Sequence, residues 1–301
     1  MAATDHEVSL KTGDFVRKFG TDVVAIVTRT GDENPTFTLK QMKCTVEQEM
    51  PGLTISTSSI DRLLDAHTYS VKLATQRPVD RSRSDVESKR KEYAQWLQTN
   101  GPWVCQFYID ETNYNIWCSR KFGHAKKGMT ALQTTTSTKG PNINIVAFTS
   151  ANGVLLWRIV ERVHWIVFNG FLADMSAQFD LEEPETKAVF IFDSAPAHNR
   201  AEQANRVSSN HCIKWLPPYS PFFNPIEEVF FKFKGQLKEH LRERRDSGLV
   251  TPQGVTQKEH RRSSLVNSAQ HGMLLVQRME CAAFDRHNFS FVQAALREED
   301  M

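Results

Sequence analysis

Apolar residues fall into two regimes along this chain. Up to about residue 98 they recur at helical spacing, and from Trp103 onward they gather into short, dense runs of strand type. In the first regime, Val23, Val24, Ile26 and Val27 predict a helix over Thr21–Arg29 that Thr21 can cap. GDENP reads as a turn, since Gly31 and Pro35 both oppose a continuing helix. TLKQMKCTVEQEM carries Leu39, Met42 and Val46 on one face and is closed by Pro51-Gly52. A third helix, with Ile60, Leu63 and Leu64, starts from Ser56 or Thr57. Three short helices with a tight turn before the third predict a helix-turn-helix, winged-helix-like domain over 21–84, behind a loosely ordered head of residues 1–20.

The segment DVESKRKEYAQWLQ predicts one more helix, over 85–98, before the period changes. Strand-like runs follow at WVCQFYID, NIWCSR, INIVAFTS and VLLWRIVE, the last two joined by the hairpin signal Asn152-Gly153. A helix fits WIVFNGFLADMSAQF, and AVFIFD reads as a buried strand. A helix near Asn199–Ser208, the strand CIKWLP, a Pro-rich loop and a helix from Pro225 to about Arg244 complete the series. Hairpin-linked strands followed by alternating helices and strands predict an α/β domain over 85–245, with helices on both faces of a mixed sheet. Residues 246–264 read as a polar loop, followed by helices at about 266–284 and 289–298, so that 246–301 is a linker with C-terminal helices.

Charge and cysteines change this picture little. The formal net charge is +2, so total charge alone does not indicate a nucleic-acid partner. The five cysteines contain no CxxC pair and read as reduced, buried thiols. No zinc-ligand spacing, membrane span or secretory signal is evident, which predicts a soluble, unsecreted protein.

Three acids occupy unusual places. Asp110 ends the apolar run QFYID, Asp193 ends VFIFD, and Glu227 lies in the first turn of a helix after PFFNPI. Ionised carboxylates at the ends of buried strands are costly unless paired, hydrogen-bonded or bound to metal. Two strand ends and a helix start can bring such groups together, and hard oxygen ligands suit Mg²⁺ or Mn²⁺. Two such ions stabilise the attacking and leaving oxygens of phosphodiester displacement. Taken singly, each acid also has a plain structural reading, as a turn cap or a charge at a helix N-terminus.

The combination resembles the mariner-like and pogo-like superfamily of DDE transposases, bacterial insertion-sequence relatives included. YIDET at Tyr108–Thr112 is similar to the first-Asp motif and FDSAPAHN at Phe192–Asn199 to the second. LPPYSPFFNPIEEVFFKFK at Leu216–Lys234 is similar to the third-acid motif, and thirty-three residues separate Asp193 from Glu227. The resemblance implies a ribonuclease H-like fold and two metal ions held by Asp110, Asp193 and Glu227 as catalytic residues. It implies transfer of a freed 3′-OH to target DNA at TA dinucleotides by a homodimer bridging two transposon ends. The helix-turn-helix would be the second of the family's two. Glu228, its side chain turned about 100° away on a helix, is the competing third acid. Glu111 is expected to face opposite Asp110, and His198 to start a helix or pack.

Basic residues supply candidate contacts to double-stranded DNA. Arg120, Lys121, Lys126 and Lys127 follow the strand region beside the first Asp, and Lys72, Arg77, Arg81 and Arg83 lie in the basic segment after the third helix. Lys234 and Lys238 lie on the helix that carries Glu227. Such groups bind phosphates without reading sequence, although each cluster on its own also fits a solvated face. A transposase acts in the nucleus of a eukaryote and in the cytoplasm otherwise. Two rivals remain: a degenerate or domesticated DNA-binding protein without transposition, and a nuclease acting on RNA–DNA hybrids.

Overall fold

The computed structural model describes residues 20–72, 78–118, 130, 132, 140, 142–201, 211–244, 250–299 and 301. The head and the candidate contacts Arg77, Arg120, Lys121, Lys126 and Lys127 lie outside them. Contacts divide the chain into two units, Met1–Pro78 and Val79–Met301.

Among its described residues the first unit holds three helices: α1 (20–33), α2 (Leu39–Glu49) and α3 (Thr57–Ala66). Thr38 and Gln41 close a reciprocal capping box at the start of α2, and Ser56 caps α3 by accepting from the Ser59 amide. Val23, Val27, Met42, Val46, Ile60 and Leu63 bury one face of each helix in a common core. One expectation fails at α1, which runs through Gly31 and turns only at 35–36. Gly31 is there for space: a Cβ would come within 3.3 Å of the Tyr69 ring.

The second unit is a five-stranded sheet with helices on both faces. After α4 (Ser84–Thr99) come β1 (Cys105–Tyr114), β2 (Ile143–Ser150), β3 (Gly153–Val160), α5 (Trp165–Glu182), β4 (Ala188–Phe192), β5 (Cys212–Trp215) and α6 (Ile226–Glu243). The strand order is β3-β2-β1-β4-β5, antiparallel across β1–β3 and parallel from β1 through β4 to β5. A 3-10 turn at Pro196–His198 precedes the helix expected near Asn199–Ser208, of which only residues 199–201 are described, Ala201 being helical. NIWCSR yields no strand over its described part. Residues 115–118 form a turn in which the Trp117 amide donates to the Asn115 side chain at 3.0 Å.

The two-residue period of the strands sorts the core. Tyr108, Ile145, Ala147, Val189 and Ile191 meet α4, α6 and the C-terminal helices on one face, while Phe107, Ile109, Val146, Phe148 and Phe190 meet α5 on the other. Burial on both faces explains why AVFIF reads as an unbroken apolar run.

Three C-terminal helices are present instead of two: α7 (Gln257–Leu274), α8 (Arg278–Ser290) and α9 (Val292–Leu296). The expected loop over 246–264 gives way at 257 because Thr256 and Glu259 form a capping box. Leu265, Ala269 and Met273 of α7 join the sheet core, and the Tyr114 hydroxyl donates to the Leu265 carbonyl at 3.0 Å. Gly272 permits the close approach of α7 to α6, where a Cβ would meet the Phe233 carbonyl at 3.2 Å.

The cysteines are all free, yet only Cys281 is buried. Cys44 points away from the Met42–Val46 face of α2 and Cys212 opens the edge strand β5, so both are exposed.

Candidate active site

The site forms where two parallel strands part company. The β1–β4 ladder ends at the pair Tyr108↔Ile191, while β1 continues to Tyr114 beside β2 alone. Asp110 lies just beyond the last parallel pair, and Asp193 follows immediately on the end of β4. In open sheets with parallel strands, such splits at the carboxyl ends leave a crevice.

Asp110 continues the Tyr108 face. Its Oδ1 accepts from the Glu111 amide at 2.7 Å and its Oδ2 from Asn224 Nδ2 at 2.9 Å. Burial raises its pKa, and the charges of Glu227, Glu111 and Asp193 add to the effect despite the Glu111 amide, carrying it to about 7. The Oδ1 atom of Asn224 is buried without a hydrogen-bond partner among the described residues.

Asp193 behaves in the opposite way. Its hydrogen bond with His198 lowers its pKa against the effect of burial, and the Ala195 amide, donating at 3.0 Å, lowers it further. His198 is fully buried between Phe168 and Phe192, with Nδ1 2.9 Å from Asp193 Oδ1 and Nε2 3.1 Å from Glu111 Oε2. Burial alone would depress the imidazole, but the bonds to Asp193 and Glu111 outweigh it and lift its pKa to about 10.

Glu227 stands in the first turn of α6, which Asn224 and Pro225 lead into. Crowding by surrounding protein raises its pKa; Lys234 opposes this, and the charge of Asp193 adds to it. Lys234 follows seven positions later on the same face of the helix, where 3.6 residues per turn brings it back into line. Glu228 is turned aside and lies 2.5 Å from His287 of α8.

Upstream of Glu227 the chain bends through Tyr219, whose φ of 54° is left-handed. Buried Arg90 of α4 holds this bend, donating from Nε to Ser220 Oγ at 3.0 Å and from a terminal nitrogen to the Tyr219 carbonyl at 3.2 Å.

The three acids singled out by sequence lie near enough for the charges of Glu227 and Asp193 to act on Asp110, and that of Asp193 on Glu227. A ligand grouping that spacing did not suggest also appears: atoms of Asp110, Glu111 and His198 lie within 4.8 Å of one another. Both ring nitrogens of His198 already face carboxylates, which leaves no lone pair for a metal. Oxygen donors alone suit a hard divalent cation, and the crowding of like charges around Asp110 is what such a cation relieves.

The family described as DDE superfamily endonuclease matches residues 106–249. No curated protein matches the chain by sequence. Among solved structures, the Mos1 mariner paired-end complex with Mn is 14% identical, covering 92% of this chain and 78% of that one at a TM-score of 0.64. The Mos1 strand transfer complex gives the same identity, coverage and score, and a pre-cleavage Mos1 transpososome is 12% identical over 92% and 79% at 0.63. The fold is thus the ribonuclease H-like fold that these Mos1 structures share.

Lys234 and Lys238 are half-buried on α6, and Lys72, in the first unit, is exposed. Arg81 is half-buried, while Arg83 is drawn to Asp85 at 2.9 Å and Asp80 at 3.8 Å. Lys232, also in the basic run of α6, is tied to Glu280 at 2.7 Å. No helix among the described residues is long and apolar enough to cross a membrane. Glu111, Asn224 and Arg90 are the residues that sequence reasoning missed as parts of the site; the adjacency of Glu111 to Asp110, and of Asn224 to the loop before Glu227, was the available signal.

Proposed function

We propose that this protein is a DDE transposase that cleaves DNA strands and joins a freed 3′-OH to target DNA, with Asp110, Asp193 and Glu227 as its metal-binding catalytic residues. The observation that carries this reading is that Asp110 and Asp193 emerge where the β1–β4 ladder ends, with Glu227 near enough on the first turn of α6 for its charge to act on Asp110. Two Mg²⁺ or Mn²⁺ ions bound there would activate the attacking oxygen and stabilise the leaving one. The chain's own part is to hold the donors still. Asn224 and the Glu111 amide fix Asp110, the Ala195 amide and His198 fix Asp193, and the first turn of α6 delivers Glu227. Lys234 and Lys238, in line with Glu227, offer cations to a phosphate backbone running along α6. The first unit, with its three short helices, is read as the helix-turn-helix that grips transposon ends. By analogy with the paired-end complexes of Mos1, two copies would bridge two ends.

Supercoiled plasmid and an oligonucleotide bearing a free 3′-OH test this together. Wild-type protein nicks the plasmid and joins the oligonucleotide only with Mg²⁺ or Mn²⁺. Asp193→Ala and Glu227→Gln abolish both reactions, and Glu228→Ala retains them. DNA binding without any cleavage by the wild type would favour a domesticated binding protein instead.

A further inference from the structure

Resting on that reading of the three acids, we propose that Glu111 and His198 form a strut that orients the Asp193 carboxylate for metal binding. Asp193 lies beyond the end of β4 with its side chain 54% exposed, so strand pairing does not fix it. The ring of His198 is fixed. Its centroid lies 4.1 Å from that of Phe168, the two planes inclined by 35°, and 5.3 Å from that of Phe192, which meets it edge-on. Nδ1 reaches the Asp193 carbonyl at 2.7 Å as well as Oδ1 at 2.9 Å, and Nε2 reaches the two Glu111 oxygens at 3.1 and 3.2 Å.

The ring is thus held at both ends, by Asp193 at Nδ1 and by Glu111 at Nε2. Removing Glu111 would leave Nε2 with nothing to donate to in an aromatic pocket. The ring would then be held only at Nδ1 and lose the second anchor that sets its angle toward Asp193. Glu111 is a positioning residue in this scheme, acting through His198. Because it neighbours Asp110, one strand sets both aspartates, the first directly on one sheet face and the second through the other.

Two measurements on the full chain test the strut. In metal-free protein with ¹⁵N-labelled histidine, Glu111→Ala shifts and broadens the Nδ1 resonance of His198 relative to wild type, as a ring that has lost one anchor should. In titrations followed by the Mn²⁺ electron paramagnetic resonance signal, Glu111→Ala binds Mn²⁺ roughly 10- to 100-fold more weakly, the range typical of residues that orient a metal ligand. Glu111→Gln, whose amide oxygen still accepts from Nε2, stays within a few-fold of wild type and serves if the alanine variant does not fold. Unchanged Mn²⁺ affinity in Glu111→Ala overturns the strut. So does a glutamine variant as weak as the alanine one, which would make Glu111 a ligand itself. Unchanged Mn²⁺ affinity in Glu111→Ala beside a wild type that nicks and joins DNA sinks the strut and leaves the transposase reading standing; a wild type that binds Mn²⁺ but neither nicks nor joins DNA does the reverse.

Discussion

Asn224 Nδ2 donates to Asp110 Oδ2 at 2.9 Å, joining positions 114 apart in the sequence. The bond ties the loop before α6 to the middle of β1, so the residue that leads into Glu227 also aims Asp110. Asn224→Ala is expected to cut metal-dependent nicking by roughly 10- to 100-fold, with the loss appearing as a higher Mg²⁺ requirement. Plasmid nicking across a Mg²⁺ series reads it. A proportional loss at every Mg²⁺ concentration would contradict it.

Asp110 makes metal-free stability depend on pH in a defined direction. Its folded pKa of about 7 lies above the ordinary 3.8, so the native state keeps a proton that the unfolded chain releases first. Its contribution therefore falls as pH rises from about 4 to about 7 and stays lost above that. Asp110→Asn removes the effect. Melting temperatures without metal should show the variant gaining several degrees over wild type at pH 8 and little at pH 4. An equal gain at both pH values would be the wrong result.

Arg90 holds the left-handed bend at Tyr219 from a buried position. Arg90→Met removes charge-assisted hydrogen bonds worth about 1.5–3 kcal/mol each and leaves the Tyr219 carbonyl without that donor. Arg90→Lys should recover little, because an ammonium cannot span both acceptors with the fixed fork of a guanidinium. Urea unfolding at constant m-value measures the loss, and a fully stable lysine variant would refute the fork.

Lys234 and Lys238 should act on affinity and not on sequence preference. Each change to alanine is predicted to lower the slope of log K against log salt by about one and to weaken unrelated duplexes alike. A salt titration of binding to two unrelated sequences decides it. An unchanged slope would return these lysines to an ordinary solvated helix face.

Much of this was legible from the chain alone, for physical reasons. AVFIF announces a strand buried on both faces, and an acid directly after it stands out because bare charge is rare there. The helix after PFFNPI was legible because its apolar face repeats through Val229, Phe230, Phe233 and Leu237. The strut was not. Glu111 alternates away from Asp110 as a strand requires, but its meeting with His198 depends on how a loop returns after β4, which no local period encodes. The start of α7 was hidden because Lys258, Glu259, His260 and Arg262 make it look like a loop, and only its cap betrays it. The strand expected at NIWCSR failed because Asn115 turns the chain with its own side chain.

The ladder of β1 against β4 makes the crevice intolerant of changes in chain length. Four main-chain pairs, Cys105↔Ala188 through Tyr108↔Ile191, fix how far each strand has run when its acid emerges. One residue removed among them would turn Asp110 toward α5 and bring Glu111 round to face Asn224, since side chains alternate with every step. Evolution can repaint the walls of this crevice freely, but the count of residues leading to it is part of the catalyst.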